Sequence, residues 1–585
     1  MGKAYKHQQE TTQQLQQQPS SPELAGERNP FQLLDRWPVI PVVTGVFAVF
    51  AGLIMILGVF TRGPELLEFP STLFILYSLL LAAAFAGLFR LVEKMTFLHK
   101  PFVFPVLVTG LAFVPRYIWI RLVETTPLWD FARYLNYARS IVAGDPGAIA
   151  DIRGVFPHLT GYPLVLSWVM RIFGTEVSVA RWFNLFCTLA AVLLLYQLGK
   201  TAFSPGVGRG AALLFALWPG QVFYSSVLGA EHLFVMLMLA ALFRFALSLE
   251  KEQQPGRLLQ HTALGRFNLP LASWGVALAA GAVLAVAHIV RPVASLLFPA
   301  FFLYLLVKPV VLPQRDEQAL HSEVSSLRSE ENLMHQDQEN PASALSNRQN
   351  RRDGSVWRIA ITRRVPLFAF LLAGFFLVLS VLNAFYEPQV LVPLGKTGAG
   401  FNLYVGTNKE SRGMWNPEDW AIIGEYEYDF DRIHEEAWNR GIERIQEDYR
   451  DFLLLAERKF AIQWSVSDYG FYWGMLELDR VTAVSLWAEA NRTELQVASQ
   501  VYYLSLLWLV LLGLWKTRKN RLASFNTLIA ILFFGFIAMH TLIEVQSRYH
   551  HSLVPLFMLS AAYGASFVSG SAAKRKPLAD DSISR

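Results

Sequence analysis

The chain has 585 residues, of which 53% are apolar and only 17% charged, too few charges to cover a soluble surface of this size, so a large apolar area must face lipid. Its formal charge of +5 comes from Lys and Arg gathered in short clusters between apolar runs, with no basic stripe interleaved with aromatics, which argues against a nucleic-acid partner. The single cysteine, Cys187, lies inside an apolar run, so neither a disulfide nor a cysteine-based metal site forms within the chain.

Residues 1–36 are polar and Gln-rich, without an apolar core or a small-residue cleavage site, and read as a disordered cytoplasmic tail, not a signal peptide. Twelve runs then approach the roughly 20 apolar residues that a membrane helix needs. They are 38–60, 71–92, 101–122, 179–199, 210–227, 232–249, 270–288, 292–312, 365–386, 501–515, 522–543 and 552–570. A further piece, 159–174, is short and carries Gly, Pro and Arg171. If it does not cross, Lys94, Lys200, Lys251, the Arg-bearing 313–364 stretch, the KTRKNR cluster and the terminal KRK all fall on the same side as the N-terminus. The positive-inside rule makes that side cytoplasmic. The expected fold is therefore an all-α polytopic membrane protein of about twelve spans, with both termini inside.

The expected organisation follows the same boundaries. N-terminal spans occupy 37–122, and a first outer loop with juxtamembrane helices covers 123–178. A transmembrane core runs over 179–312, a disordered cytoplasmic loop over 313–364 and one span over 365–386. A large mixed outer loop fills 387–500, C-terminal spans 501–570 and a cytoplasmic tail 571–585. The 313–364 stretch is rich in Gln, Glu, Ser, Asn and Arg with almost no aromatics, whereas both long outer loops carry Trp, Tyr and acids.

Ionisable residues at breaks between apolar runs are candidates for function. In PLWDFARYLNYARS, spacings of four and three put Asp130, Tyr134 and Tyr137 on one helix face, with Asp130 near the helix start. A simple N-terminal cap is the competing reading. Glu231 opens a long apolar helix in GAEHLF, with the same two readings. His288 and Arg291 bracket the one break in AVAHIVRPVASLLF, where an Arg either snorkels or grips a lipid phosphate through paired hydrogen bonds. The last outer turn carries Glu544, Arg548, Tyr549, His550 and His551. In the large loop, turn signals surround Trp415, whose ring suits either an interfacial anchor or a sugar face.

The order of these motifs is familiar. DFARYLNYA is followed by GYPLVLSWVMRIFG, then a span opening with Ala180, Arg181 and Asn184. GAEHLF, the Arg291–Pro292 pair and a terminal E-x-x-x-R-Y-H before a Pro-bearing helix complete the series. Over roughly residues 100–570 the chain resembles the GT-C superfamily of membrane glycosyltransferases, in its protein mannosyltransferase and aminoarabinose-transferase-like branch. The resemblance implies an inverting transferase at the outer face of a bacterial plasma membrane, its partners a polyprenyl-phosphate-linked sugar and an acceptor glycan, lipid or protein. It implies Asp130 as general base, with Glu231 as the second acid that positions the acceptor or a metal. His288, Arg291 and Arg548 stand where the donor phosphate is held, with Tyr134, Trp415, Glu544 and Tyr549 as substrate contacts. The chain departs from the family's pattern: Asp130 stands alone where relatives often carry an acidic pair, the second acid is Glu rather than Asp, and two spans precede the first outer loop. No cofactor is demanded; a divalent metal ion stays open. A membrane polysaccharide polymerase or ligase of another fold, and a lipid or sugar transporter, are the alternatives.

Overall fold

The computed structural model describes residues 39–61, 66, 69–145, 156–252, 271–308, 341–390, 393–517 and 524–568. The expected tails at 1–36 and 571–585, and the 313–340 part of the expected cytoplasmic loop, lie outside these. The described chain is α-helical apart from two short strands, as the apolar runs dictate: in hydrocarbon every backbone polar group must be satisfied within its own segment.

Among the described residues nine helices are long and apolar enough to cross a membrane. The first three are α1 (Val39–Phe60), α2 (Ser71–Lys94) and α3 (Val103–Leu122). Strand β1 (Glu124–Thr125) leads into α4 (Trp129–Ala143), and α5 (Gly161–Phe173) follows. At 13 residues, α5 is about 20 Å long, well short of the roughly 30 Å hydrocarbon core, in line with its reading as a juxtamembrane piece. Then come α6 (Val177–Ala202), α7 (Pro205–Ala216), α8 (Pro219–Tyr224), α9 (Glu231–Glu252), α10 (Leu271–Val290) and α11 (Leu297–Val307). Helix α12 (Pro341–Val390) contains the span Arg363–Pro388, and starts inside the stretch expected to be a loop to 364. Proline at a first helical position costs no hydrogen bond, and Ala, Leu, Arg and Gln favour continuation, which composition-based reading of the loop overlooked.

The large loop is built of short helices: α13 (Ala399–Gly406), α14 (Pro417–Glu425), α15 (Phe430–Glu447), α16 (Tyr449–Trp464), α17 (Tyr469–Met475) and α18 (Ala483–Ala490). Strand β2 (Leu478–Arg480) pairs antiparallel with β1 and so fixes this layer to the end of α3. The chain closes with α19 (Arg492–Thr517), α20 (Phe525–Leu542) and α21 (Val554–Val568).

Close helix pairs use glycine. A Cβ on Gly281 of α10 would stand 1.8 Å from the Leu371 carbonyl oxygen, and one on Gly374 of α12 would stand 2.0 Å from that of Leu278. Small residues on both sides let the two backbones touch, which is how membrane helices gain packing energy without a hydrophobic drive.

One expected span is corrected. The run 210–227 does not cross as a single helix: α7 ends at Ala216, and α8 restarts at Pro219 after a bend at Trp218. Pro219 removes an amide donor, so the last carbonyls of α7 lose their helical partners. Arg116, fully buried on α3, supplies them. Its guanidinium donates to the carbonyls of Ala216 and Phe215, both at 2.9 Å, and also to the Gln221 side chain. A charge inside the bundle is thus spent on ending a helix there. We expect Arg116→Met, which strands the Ala216 carbonyl in an apolar interior at a cost of about 1–3 kcal/mol and leaves that of Phe215 only the Trp218 amide at 3.3 Å, to lower the melting temperature and folded yield in detergent. Wild-type melting of that variant would remove this role.

Candidate functional site

The C-terminal ends of α3, α10 and α20 and the N-terminal ends of α9 and α21 meet at one end of the bundle, beneath the short helices of 399–490. The ionisable residues at these ends converge there. Asp130 lies in the first turn of α4, but it is not a cap. The cap position is Leu128, and the carboxylate instead accepts from Arg133 at 2.9 Å and faces Arg548 at 3.8 Å. Trp129, just before it, holds φ of 45°, a left-handed conformation that costs a bulky residue energy and that only a constrained surrounding sustains.

Glu231 is 1% exposed at the head of α9, and its carboxylate accepts a 2.6 Å hydrogen bond from Arg291. Tyr224 lies beside it: a Cβ on Gly229 would meet the second Glu231 oxygen at 2.4 Å and the Tyr224 hydroxyl at 2.5 Å. Arg548 joins the two acids. It is buried, with Asp130 on one side and Glu231 within electrostatic reach, and its guanidinium lies 5.1 Å from the ring centres of both Phe131 and Trp473. Burial works against the charge of Arg291 and of Arg548, yet Glu231 together with the tyrosines around them, and with Asp130 for Arg548, more than offsets it, so both stay strongly cationic. Among the described residues the Nε of Arg291 and the Nε of Arg548 are buried without a hydrogen-bond partner. A buried cation and a half-buried one, each with a donor to spare, are suited to an anion.

Tyr134 is buried and within electrostatic reach of Asp130, Glu231, Arg291 and Arg548, and burial pushes its hydroxyl up, so it remains a neutral donor. Glu544 is also raised by burial, and it accepts from Gln546 at 2.8 Å and Tyr549 at 3.1 Å. His158, unforeseen from the sequence, stands in this group, electrostatically coupled to Asp130, Arg291 and His434; burial lowers it to about 4, so it is neutral at physiological pH. Arg133 and Tyr224 were missed likewise. Nothing in the DFARYL, QVFYSS or FPHLTG segments sets Arg133, Tyr224 or His158 apart from its neighbours.

Residues 159–265 match the family model described as dolichyl-phosphate-mannose-protein mannosyltransferase. That segment holds Glu231 and the α5–α9 region. The chain resembles the GT-C membrane glycosyltransferases. No curated protein matches it. Two solved structures from Archaeoglobus fulgidus are similar. One is an oligosaccharyltransferase tethered to an acceptor peptide, with 13% identity and a TM-score of 0.31. The other is the oligosaccharyltransferase AglB with an inhibitory peptide and a dolichol-phosphate, with 12% identity and a TM-score of 0.30. The matches cover 80% of this chain and 56% of each of those, so it spans little more than half their length.

Not every expected residue joins the cluster. His288 turns both ring nitrogens to carbonyls, those of Pro292 and Gly395, each at 3.2 Å, and so holds the loop after α12 against the end of α10. Trp415 is 51% exposed and meets the cluster only through Trp420. His550 and His551 face apart, His550 toward the Gln463 carbonyl and His551 toward Tyr469, and among the described residues no group of three metal-binding side chains forms.

The segment carrying Glu544 and Arg548 is held by a buried lysine. Lys459, 1% exposed on α16, donates to the carbonyls of Gly406 at 2.7 Å and Thr541 at 2.8 Å, at the ends of α13 and α20. Glu544 and Val545 then add main-chain bonds to Asn402 and Gly413. Burial lowers Lys459 to about 7 from 10.5, and the neutral amine still has a donor for each carbonyl. In the unfolded chain Lys459 keeps its proton up to about 10.5; in the fold it releases it near 7. Stability should therefore rise with pH between those values, by up to about 1.4 kcal/mol per unit. Thermal melting from pH 6.5 to 9.5 should show this rise in wild type and a flatter line in Lys459→Met; parallel lines would contradict it.

Proposed function

We propose that the protein is an inverting membrane glycosyltransferase that moves a sugar from a polyprenyl-phosphate donor to an acceptor hydroxyl, with Asp130 as general base. The observation that carries this reading is the meeting of Asp130, Glu231, Arg291 and Arg548, drawn from four separate regions of the chain, at one end of the bundle. The likeness of residues 159–265 to a mannosyltransferase family using a dolichyl-phosphate sugar supports it.

Asp130 retains a partly exposed carboxylate, so it can accept the proton of an acceptor hydroxyl. The acceptor oxygen forms the new bond to the sugar's C1 as the bond from C1 to the phosphate oxygen breaks on the opposite face. The departing polyprenyl phosphate gains negative charge, which Arg291 and Arg548 stabilise through fixed donors. Glu231 holds Arg291 in place and keeps the site from carrying unbalanced positive charge before the donor arrives. Tyr134 supplies a neutral donor beside both acids. The donor's tail belongs in lipid, so the reaction centre sits at the membrane interface, on the side that the positive-inside reading makes external.

The reaction as drawn needs no metal ion: one oxygen of Glu231 and both of Asp130 face guanidinium groups, and the side chains around the two acids are cationic, not oxygen-rich.

Replacing the base is the decisive test. Asp130→Asn should lower transfer from a polyprenyl-phosphate sugar by at least about 10²-fold while leaving membrane insertion and thermal stability close to wild type. Wild-type turnover in that variant would end the assignment.

A further inference from the structure

Beside Asp130 the structure holds an aromatic platform that the transfer step itself does not use. Trp420 of α14 stacks on Phe156, ring centres 5.3 Å apart and planes 21° from parallel. Trp415 meets Trp420 edge to face at 6.1 Å and leaves about half its surface free. Arg133, whose guanidinium lies 5.5 Å from the Trp420 ring centre, donates to Asp130 at 2.9 Å. An unbroken line of contacts thus runs from the general base to an exposed tryptophan face.

The platform is rigid. Gly413, with φ of 74°, closes a turn by donating to the Asn408 carbonyl at 2.8 Å, and Asn416 caps α14 by accepting from Asp419. Asp419 is buried and gathers Asn408, Asn416 and Arg444. The Gly413 carbonyl accepts from Val545, three residues before Arg548, so the turn that presents Trp415 is tied to the segment bearing a phosphate-site arginine.

We propose that Trp415, Trp420 and Arg133 form the acceptor subsite and that the acceptor is a carbohydrate. This rests on the glycosyltransferase reading and deepens it. A sugar ring presents weakly positive C–H groups on its faces, which favour the negative face of an indole, and hydroxyls at its rim, which need charged or polar partners. Tryptophan faces bordered by a guanidinium and a carboxylate meet both demands. One common way to hold an extended peptide acceptor is main-chain pairing with an open strand edge. The strand nearest Asp130 has little main chain to offer: Thr126 donates to the Glu477 carbonyl at 2.9 Å, and the Thr125 carbonyl accepts from Arg181 at 2.6 Å.

The test uses the full chain in nanodiscs and measures binding of soluble gluco-, manno-, galacto- and N-acetylglucosamine hexasaccharides by calorimetry, beside a Ser- and Thr-containing peptide and undecaprenyl phosphate. At least one hexasaccharide should bind, and Trp415→Ala should weaken it tenfold or more, with Trp415→Phe restoring most of the loss. Because Trp420 packs on Phe156 and its removal unsettles the fold, the exposed Trp415 is the diagnostic position. Unchanged hexasaccharide affinity in Trp415→Ala, as for a mere interfacial anchor, overturns the proposal, as does binding of the peptide in place of any sugar. If undecaprenyl phosphate binds and no sugar does, the acceptor class alone falls. If neither binds, the glycosyltransferase reading falls with it.

Discussion

A carboxylate at the head of an apolar helix survives burial only when a cation meets it, and the Glu231–Arg291 pair at 2.6 Å is that meeting. The pair joins the start of α9 to the end of α10, and its attraction helps keep Arg291 charged although most of its side chain is out of solvent. Arg548 then has an acid on either side, and Asp130 is drawn into the same field. Removing either partner would leave an uncompensated charge in a low-dielectric place, so the pair orders the whole end of the bundle. The buried charges are matched but not saturated: both arginines keep an unpartnered Nε. Such an arrangement suits a site that takes up an anion and later releases it.

The other buried ionisable groups show the opposite pattern. Arg116 and Lys459 donate chiefly to backbone carbonyls at helix ends. Each repairs a place where a helix stops inside protein, one within the span layer and one under the short helices. Burial of charge therefore has two uses in this molecule: Arg116 and Lys459 hold helix ends of the scaffold, and Glu231, Arg291 and Arg548 face one another at the site.

Much of this was legible in the sequence, for a physical reason. In a mostly apolar chain an ionisable residue at a break between spans is conspicuous, and Asp130, Glu231, Arg291 and Arg548 were found in that way. Charge clusters set the sidedness that placed the four together. The 13-residue length of α5 also follows from the Gly, Pro and Arg that interrupt its run. The failures are equally instructive. His288 lies three residues from Arg291, yet a helix end turns the two apart, and both its ring nitrogens meet backbone carbonyls, one of them more than a hundred residues away. The break at Trp218 was hidden because the partner that makes it affordable, Arg116, lies about a hundred residues away in sequence. His158 and Arg133 sit in polar loop segments where charged and polar residues are commonplace, so no local pattern marked them. Long-range pairing decides these cases, and a single sequence does not display it.

The account's central claim is that the two arginines hold a lipid-linked phosphate beside Asp130. The most direct measurement is an experimental structure of the protein in nanodiscs with a polyprenyl monophosphate. The account predicts phosphate oxygens within charge-assisted hydrogen-bond distance, about 2.7–2.9 Å, of both Arg291 and Arg548, with the chain leaving sideways into lipid. A phosphate bound at the opposite end of the bundle, or touching neither arginine, would contradict it.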